Sequence, residues 1–325
     1  VAAKGGGSEN KAQLKMLNPS DSLVDYIIDT VPKMGAGWCP PGVLGIGVGG
    51  TADKAMLLAK ESLMDPIDIQ LLIKNGPKNL IEELRLEIYE KVNNLGIGAQ
   101  GLGGLTTVLD VKIKDYPTHA ASLPVAIIPN CAANRHIHFQ MNGDGAVNLT
   151  PPDLSLWPKT VWKPEELAIK VNLDELTDKD KEGWKIGQNL LLTGKILTAR
   201  DAAHKRLNDL AKNHMPLPSG LSLKGKFLYY VGPVDPVGNE VVGPAGPTTA
   251  TRMDKYTDTI LSHYGVTGMI GKAERGDDAI RSIKENKAVY LVAVGGAAFL
   301  VSQAIKASKV IAFDDLGMEA IHEFE

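Results

Sequence analysis

From about residue 186 onward, short apolar segments recur with helical patterns between most of them: "NLLLTGKILTA", "GKFLYYVGPV", "VTGMIGK", "AVYLVAVGG" and "KVIAFDDLG". Strands alternating with helices of roughly 10–15 residues specify an α/β layer around a partly parallel sheet. The earlier chain reads differently, mixing helices with glycine-rich loops. Residues 20–33 predict a helix with Ser20 or Asp21 as N-cap and Leu23, Ile27 and Val31 on one face. "VLGIGV" at 43–48 reads as a strand, followed by a helix capped by Thr51. Residues 79–94 form an amphipathic helix, "GIGAQGLGG" a flexible loop, and "LTTVLDVKIKDY" and "LPVAIIPNC" two further strands. Between the halves, "TPPDLSLWPKTVWKPEEL" is rich in proline and tryptophan, and "DELTDKDKEG" is a solvated charge run. The expected organisation is a domain over 1–150, a connection over 151–185 and an α/β domain over 186–325.

A length of 325 residues accommodates about two such domains. A formal charge of −3 gives no electrostatic case for nucleic acid or an anionic membrane as partner. No apolar run approaches the roughly 18–20 residues that span a bilayer, and no signal peptide is visible. The chain begins with Val and runs at once into "KGGGSENK", so its natural N-terminus is expected to lie further upstream. Two cysteines far apart in sequence, Cys39 and Cys131, are not a secreted disulfide framework, and an intracellular protein is expected. They are either inert buried thiols or ligands.

The stretch "GAGWCPPGVLGIGVGGTADKAMLLAKESL", residues 35–63, sharpens that choice. "GIGVGG" fits a loose phosphate-loop pattern between a strand and a helix. A dinucleotide fold would also need a second strand ending in an acid about 20 residues on. Residues 60–80 hold Asp65 and Asp68 but no convincing strand, and the phosphate-loop lysine motif is absent. Two other readings stay open. The glycines let a strand and a helix pack closely, or the helix N-terminus faces another anion, with the Cys39 thiolate aimed at the same spot.

Cys131 ends an apolar strand and leads into Asn134, Arg135 and His136, a polar setting that favours a thiolate. His119 lies one strand upstream. His136 and His138 share a face at strand spacing, yet no zinc-ligand spacing accompanies them. In the second half, Arg200 and Lys272 sit where strands end, and "GPAGPTTATRMDKYTD" offers Thr248, Thr249 and Arg252 beside them, with Asp201 as an expected N-cap. In open α/β sheets ligands bind beyond the carboxyl ends of strands, so three cations there point to a small polyanion.

These residues resemble a known family. "KGGGSENK", "GWCPPGVLGIGVGGTADKA", "THAASLPVAIIPNCAANRH", "GKILTARDAAHKR" and "GPTTATRMDKY" are similar to the class I, iron–sulfur-dependent fumarate hydratases and the related L-tartrate dehydratases. The resemblance covers essentially the whole chain. It implies two domains, an N-terminal mixed α/β iron–sulfur-binding domain and a C-terminal swivelling-type α/β domain, with the active site between them. It further implies a 4Fe–4S cluster on three cysteines, of which Cys39 and Cys131 match two. The third lies upstream of the glycine tract in the family and has no counterpart here. By the same resemblance His119 is an active-site histidine, Arg200, Arg252 and Lys272 grip the dicarboxylate, Thr248 is the base, and Gly5 or Gly6 supplies a backbone contact. A threonine is a poor base alone, so Thr248 needs an activating neighbour, and Arg252 stands one helical turn along. The implied activity is interconversion of (S)-malate and fumarate by a cytoplasmic homodimer. The alternatives are the same chemistry on L-tartrate and a non-catalytic fragment that binds a dicarboxylate.

Overall fold

A computed structural model of the chain describes residues 6–131, 137, 139–147 and 168–325. Gly5, Asn134, Arg135, His136, His138 and the proline- and tryptophan-rich stretch over 148–167 lie outside the described residues.

The first part runs α1 (Gly6–Glu9), β1 (Gln13–Leu17), α2 (Leu23–Lys33), β2 (Gly42–Gly49), α3 (Ala52–Ser62), α4 (Ile69–Asn75), α5 (Leu80–Asn93), β3 (Val108–Tyr116) and β4 (Leu123–Cys131). The strands form one sheet in the order β1-β4-β2-β3. β2 runs parallel to β3 and antiparallel to β4, and β1 is antiparallel to β4. Val24, Ile27 and Val31 of α2 are its buried face, so the apolar stripe is displaced by one residue from Leu23. The N-cap of α2 is Ser22, not Ser20 or Asp21: its Oγ accepts the Asp25 N–H at 3.1 Å. Asp21 is already engaged, accepting the Asn18 N–H at 2.8 Å.

β2 answers the question raised by "GIGVGG". The strand is covered on both faces, and α3 lies against it so closely that a Cβ on Gly47 would strike the Ala55 carbonyl oxygen. A Cβ on Gly45 would strike the carbonyl of Ala59 in the same way. These glycines are there for helix–strand contact. The place where a dinucleotide fold needs a second strand holds α4 instead. Asp68 there is tied to Lys112 at 2.6 Å, and Asp110, wholly buried, pairs with Arg85 at 3.2 Å. Thr51 is the N-cap of α3 as expected, but its hydroxyl bonds Asp53 rather than the helix backbone.

Residues 135–194 form a small unit by themselves. Its described core is a parallel pair, β5 (Ile169–Asn172) and β6 (Leu190–Thr193). The charge run between them contains a helix, α6 (Asp178–Glu182), fixed by a capping box between Thr177 and Asp180.

The third part, which belongs to the same compact unit as the first, runs β7 (Ile196–Thr198), α7 (Asp201–Lys212), β8 (Phe227–Tyr229), α8 (Asp254–Asp258), β9 (Gly268–Gly271), α9 (Asp277–Glu285), β10 (Val289–Val292), α10 (Ala298–Ala304), β11 (Ser308–Ala312) and β12 (Ile321–Phe324). Its sheet order is β10-β9-β8-β7-β12-β11. β7 to β10 are parallel, β12 is antiparallel to β7, and β11 is antiparallel to β12. The core is built from Leu197, Leu207, Leu228, Tyr230, Met253 and Met269 with their neighbours. Two features depart from the sequence reading. "NLLLTGKILTA" is two strands in two sheets, broken at Gly194, which has a φ of 92°. And β12, "IHEF", is a strand whose polar residues hide its pairing between β7 and β11. No helix among the described residues is long and apolar enough to cross a membrane.

Because Gly47 meets backbone rather than a yielding side chain, Gly47→Ala is expected to lower stability by about 2–3 kcal/mol, the usual cost of overpacking. Urea denaturation checks this, and an unchanged midpoint would refute the packing role.

Candidate active site

The sheet register assembles the first half of the site. Gly42 at the start of β2 pairs with Cys131 at the end of β4. Cys39, three residues before Gly42, is thereby brought beside Cys131, close enough for that thiol to act on its ionisation. Both are free thiols, Cys39 buried and Cys131 partly so. Cys39 holds a left-handed backbone, φ 62°, that a non-glycine residue adopts only at a cost. The Cys131 thiol and burial both push the Cys39 pKa up, while the Lys272 ammonium opposes them. Lys272 Nζ donates to Cys39 Sγ at 2.5 Å. A cation from the end of β9 therefore sits on a thiol held by the other sheet.

The second half is built at the carboxyl ends of β7, β8 and β9. The "GPTT" loop is bound to β9 and to the residue after β8. The Thr248 N–H donates to the Tyr230 carbonyl at 2.7 Å, the Lys272 N–H to the Thr248 carbonyl at 3.1 Å, and the Ala250 N–H to the Lys272 carbonyl at 3.0 Å. The loop then turns through a short 3-10 helix, Ala250–Met253. This turn brings Arg252 back on Thr248: Nη2 donates to Thr248 Oγ1 at 2.7 Å. Arg252, one helical turn along in the sequence, is thus a direct neighbour of the Thr248 hydroxyl.

Asp201 departs from its expected role. Arg200 is the N-cap of α7, and it makes no side-chain capping bond. Asp201 is the first helical residue, and its carboxylate accepts both Arg252 Nε at 3.0 Å and Arg252 Nη2 at 2.8 Å. The Arg252 fork is thus occupied by the protein, leaving Nη1 as its nitrogen without a hydrogen bond among the described residues. Burial acts to raise the Asp201 pKa, and the Arg252 pair with Arg200 behind it outweighs that and brings it below the ordinary carboxylate value. Arg200 Nε lies 3.1 Å from Glu319 Oε1, and the other oxygen of Glu319 accepts the Ala202 N–H at 2.6 Å. His204, wholly buried, packs edge-on against Tyr230, and its Nδ1 lies 2.9 Å from the Arg200 carbonyl. Burial lowers its pKa to about 4, so at neutral pH the ring is uncharged and Nδ1–H donates to that carbonyl.

The glycine tract reaches this site at Gly7, where a Cβ would lie 3.2 Å from the Gly37 carbonyl oxygen and 4.0 Å from Lys272 Nζ. Gly6 has open space around its Cβ position, and Gly5 lies outside the described residues. Within one copy of the chain His119 does not join the group. It precedes β4 at the end opposite Cys131, with eight strand steps of about 3.3 Å each in between. There its Nδ1 accepts the Ala121 N–H at 3.1 Å, in a groove shared with Thr51, Lys54 and Tyr116. Glu319, which pairs with Arg200, and Glu274 and Gln100, which bond the loop around Cys39, carry no local signal in the sequence. Each is recognised only by what it touches across long sequence separations.

The structure thus places two thiols beside a lysine, with two arginines and a threonine at neighbouring strand ends. Comparison with known proteins then gives the family. The model described as "Fumarate hydratase (Fumerase)" matches residues 1–140, and the one described as "Fumarase C-terminus" matches residues 143–325. The chain belongs to the fumarate hydratase family. "Fumarate hydratase class I, anaerobic" of Escherichia coli (strain K12) is 31% identical, over 99% of this chain and 61% of that protein. "Fumarate hydratase 1, mitochondrial" of Leishmania major is 33% identical over the same shares, 99% and 61%. "Putative L(+)-tartrate dehydratase subunit alpha" of Methanocaldococcus jannaschii is 47% identical over 41% of this chain and 46% of that protein. The chain thus spans about three-fifths of the length of the fumarate hydratases it matches.

A group whose folded pKa is depressed stabilises the fold above its unfolded value, near 3.9, and loses that contribution as pH falls through the folded value. Wild-type stability should therefore fall more steeply than that of Asp201→Asn once pH drops below about 4. Urea midpoints measured from pH 5 to pH 2.5 check this, and parallel curves would show that Asp201 carries no such linkage.

Proposed function

We propose that this chain carries the chemistry of a class I fumarate hydratase, the reversible dehydration of (S)-malate to fumarate, at the site formed by Cys39, Cys131, Lys272, Thr248, Arg252 and Arg200. The observation that carries the reading is the Lys272–Cys39 contact at 2.5 Å, which brings a substrate-gripping cation onto a ligand thiol. Cys39 and Cys131 side by side form a soft donor pair suited to two positions of an iron–sulfur cluster. Bound there, a 4Fe–4S cluster would supply Lewis acidity toward the substrate hydroxyl, a poor leaving group by itself.

The chain's own residues account for the remainder. Arg200, Lys272 and the Nη1 side of Arg252 hold the two carboxylates of the substrate and offset the charge that develops as a C–H proton is lost. Thr248 Oγ1 takes that proton from the carbon next to the one bearing the hydroxyl. Its hydroxyl is far too weak an acid to serve unaided, and the Arg252 N–H directed at Oγ1 favours the ionised form. Asp201 keeps Arg252 at that angle. His119 is included on the resemblance alone. A homodimer also rests on the resemblance. Adjacent reduced thiols favour a reducing compartment, and the cytoplasm is the proposed one.

L-tartrate is the second reading, supported by the 47% identity over 41% of this chain to the tartrate dehydratase subunit. Anaerobic reconstitution with iron and sulfide tests both, with iron counted per chain and turnover followed on malate and on L-tartrate. Turnover on malate in excess of that on tartrate is expected, and a strong preference for tartrate overturns the choice. Thr248→Ala should reduce turnover about 100-fold or more with bound iron unchanged. Near-normal turnover in that variant would falsify Thr248 as the base.

A further inference from the structure

The loop "GIGAQGLGG" is unused in the chemistry above, yet its middle residue is one of the most constrained in the molecule. Gly96, Gly98, Gly101, Gly103 and Gly104 all have positive φ, as their residue type permits. Gln100 lies among them with φ 57° and is not glycine. A non-glycine residue in that region costs about 1 kcal/mol, so its side chain must return something that a sixth glycine would not.

That side chain is buried, with 5% exposure, and reaches the loop that carries Cys39. Gln100 Nε2 donates to the Pro40 carbonyl at 3.1 Å, and the Gln100 backbone N–H donates to the same oxygen at 2.7 Å. The partner is a carbonyl, which only accepts, so the amide orientation is fixed with Nε2 toward Pro40. Its Oε1 is buried without a partner among the described residues. A Cβ on Gly295 would come within 2.7 Å of it, so that glycine gives it room. Next door, a Cβ on Gly101 would lie 2.9 Å from the Ala36 methyl group. The glycine loop therefore lies along the Cys39 loop and grips it at one atom.

The grip matters because Cys39 is succeeded by two prolines. Pro40 and Pro41 have no N–H, so two successive residues cannot donate to anything. The segment is held from outside, and Pro40 offers only its carbonyl. We infer that Gln100 is a positioning residue for Cys39: its paired donors on the Pro40 carbonyl hold the preceding residue in the left-handed conformation that aims its thiol at Lys272 and Cys131. The relevance to catalysis rests on the reading of Cys39 as a cluster ligand, whereas the positioning role stands apart from it.

The test is the rate at which iodoacetamide alkylates Cys39 in the reduced, metal-free full chain, resolved from Cys131 by peptide mass spectrometry. Gln100→Met keeps the backbone type and side-chain length while removing the donor. It should raise the Cys39 rate about fivefold, the local loosening expected from one neutral hydrogen bond. Gln100→Glu, which turns an acceptor toward the Pro40 carbonyl, should raise it at least as much. Leu261→Ala, a change in the separate core of the second sheet, should leave the rate within about twofold of wild type, since it weakens the fold in a cluster that holds neither loop. Unchanged rates in both Gln100 variants, or an equal rise in Leu261→Ala, overturn the positioning role. Iron content after reconstitution separates the two ideas. If wild type takes up no iron while the alkylation pattern holds, the cluster reading fails and the positioning role stands. If iron binds while Gln100 variants alkylate like wild type, the positioning role alone fails.

Discussion

The pairing of Gly42 with Cys131 is the constraint on which the rest of the site depends. In an antiparallel pair a slip of one residue turns every side chain to the opposite face. A slipped β4 would turn the Cys131 thiol away from Cys39. The register is secured on both sides. Ile46 of β2 and Ile127 of β4, directly opposed, are each fully buried, and Gly45 and Gly47 admit α3 to backbone contact. A sheet packed this tightly has one register, and the thiol pair inherits it.

The cations of the second sheet are held by a complementary device. Asp201 takes the Arg252 fork through two hydrogen bonds, and Glu319 lies in ion-pair range of Arg200. Neither acid cancels the site, because Lys272 lies on a thiol and adds a third positive charge. Held in this way, the Arg252 guanidinium would lose little freedom on the proposed binding of a dianion. His204 works one layer further back. Kept neutral by burial, it bonds the Arg200 carbonyl without adding charge beneath the site.

Much of this was legible in the sequence where one residue carried both place and chemistry. Arg200, Thr248, Arg252 and Lys272 stand where apolar segments end, and an open sheet presents those ends together. Cys39 and Cys131 flank two strands that pair. What could not be read was partnership across long separations. Asp201 carries a good capping signal, and the Arg252 fork, 51 residues on, outcompeted the helix backbone for its oxygens. Glu319 lies in "DDLGMEA", where nothing local marks it as a partner of Arg200. β12 was hidden because a strand of four residues gives too little alternation to separate from a polar turn. His119 was legible as a candidate by family likeness, while its position is set by β4, which carries it to the far end of the sheet.

Glycine was the residue most open to misreading, since abundance suggests flexibility. In β2 it serves contact, and in the 96–104 loop it serves conformation, with the Gly98 backbone pressed against Gly103 and the Gly98 N–H bonded to Thr107 Oγ1 at 3.1 Å. Thr107 in turn accepts the Gly42 N–H on its carbonyl at 3.3 Å. The loop is therefore continuous, through hydrogen bonds, with the strand residue that opposes Cys131. From the other side Glu274 accepts the Ala36 N–H at 3.2 Å, and Thr249 donates to the Gly37 carbonyl at 3.4 Å. Ala36, Gly37, Cys39 and Pro40 each have a partner from outside their own segment, three of the four from beside Lys272 or Thr248. A loop with two consecutive prolines cannot stabilise itself. Its shape is imposed from outside, by Lys272 and by neighbours of Lys272 and Thr248, so the thiol and the cations are positioned together.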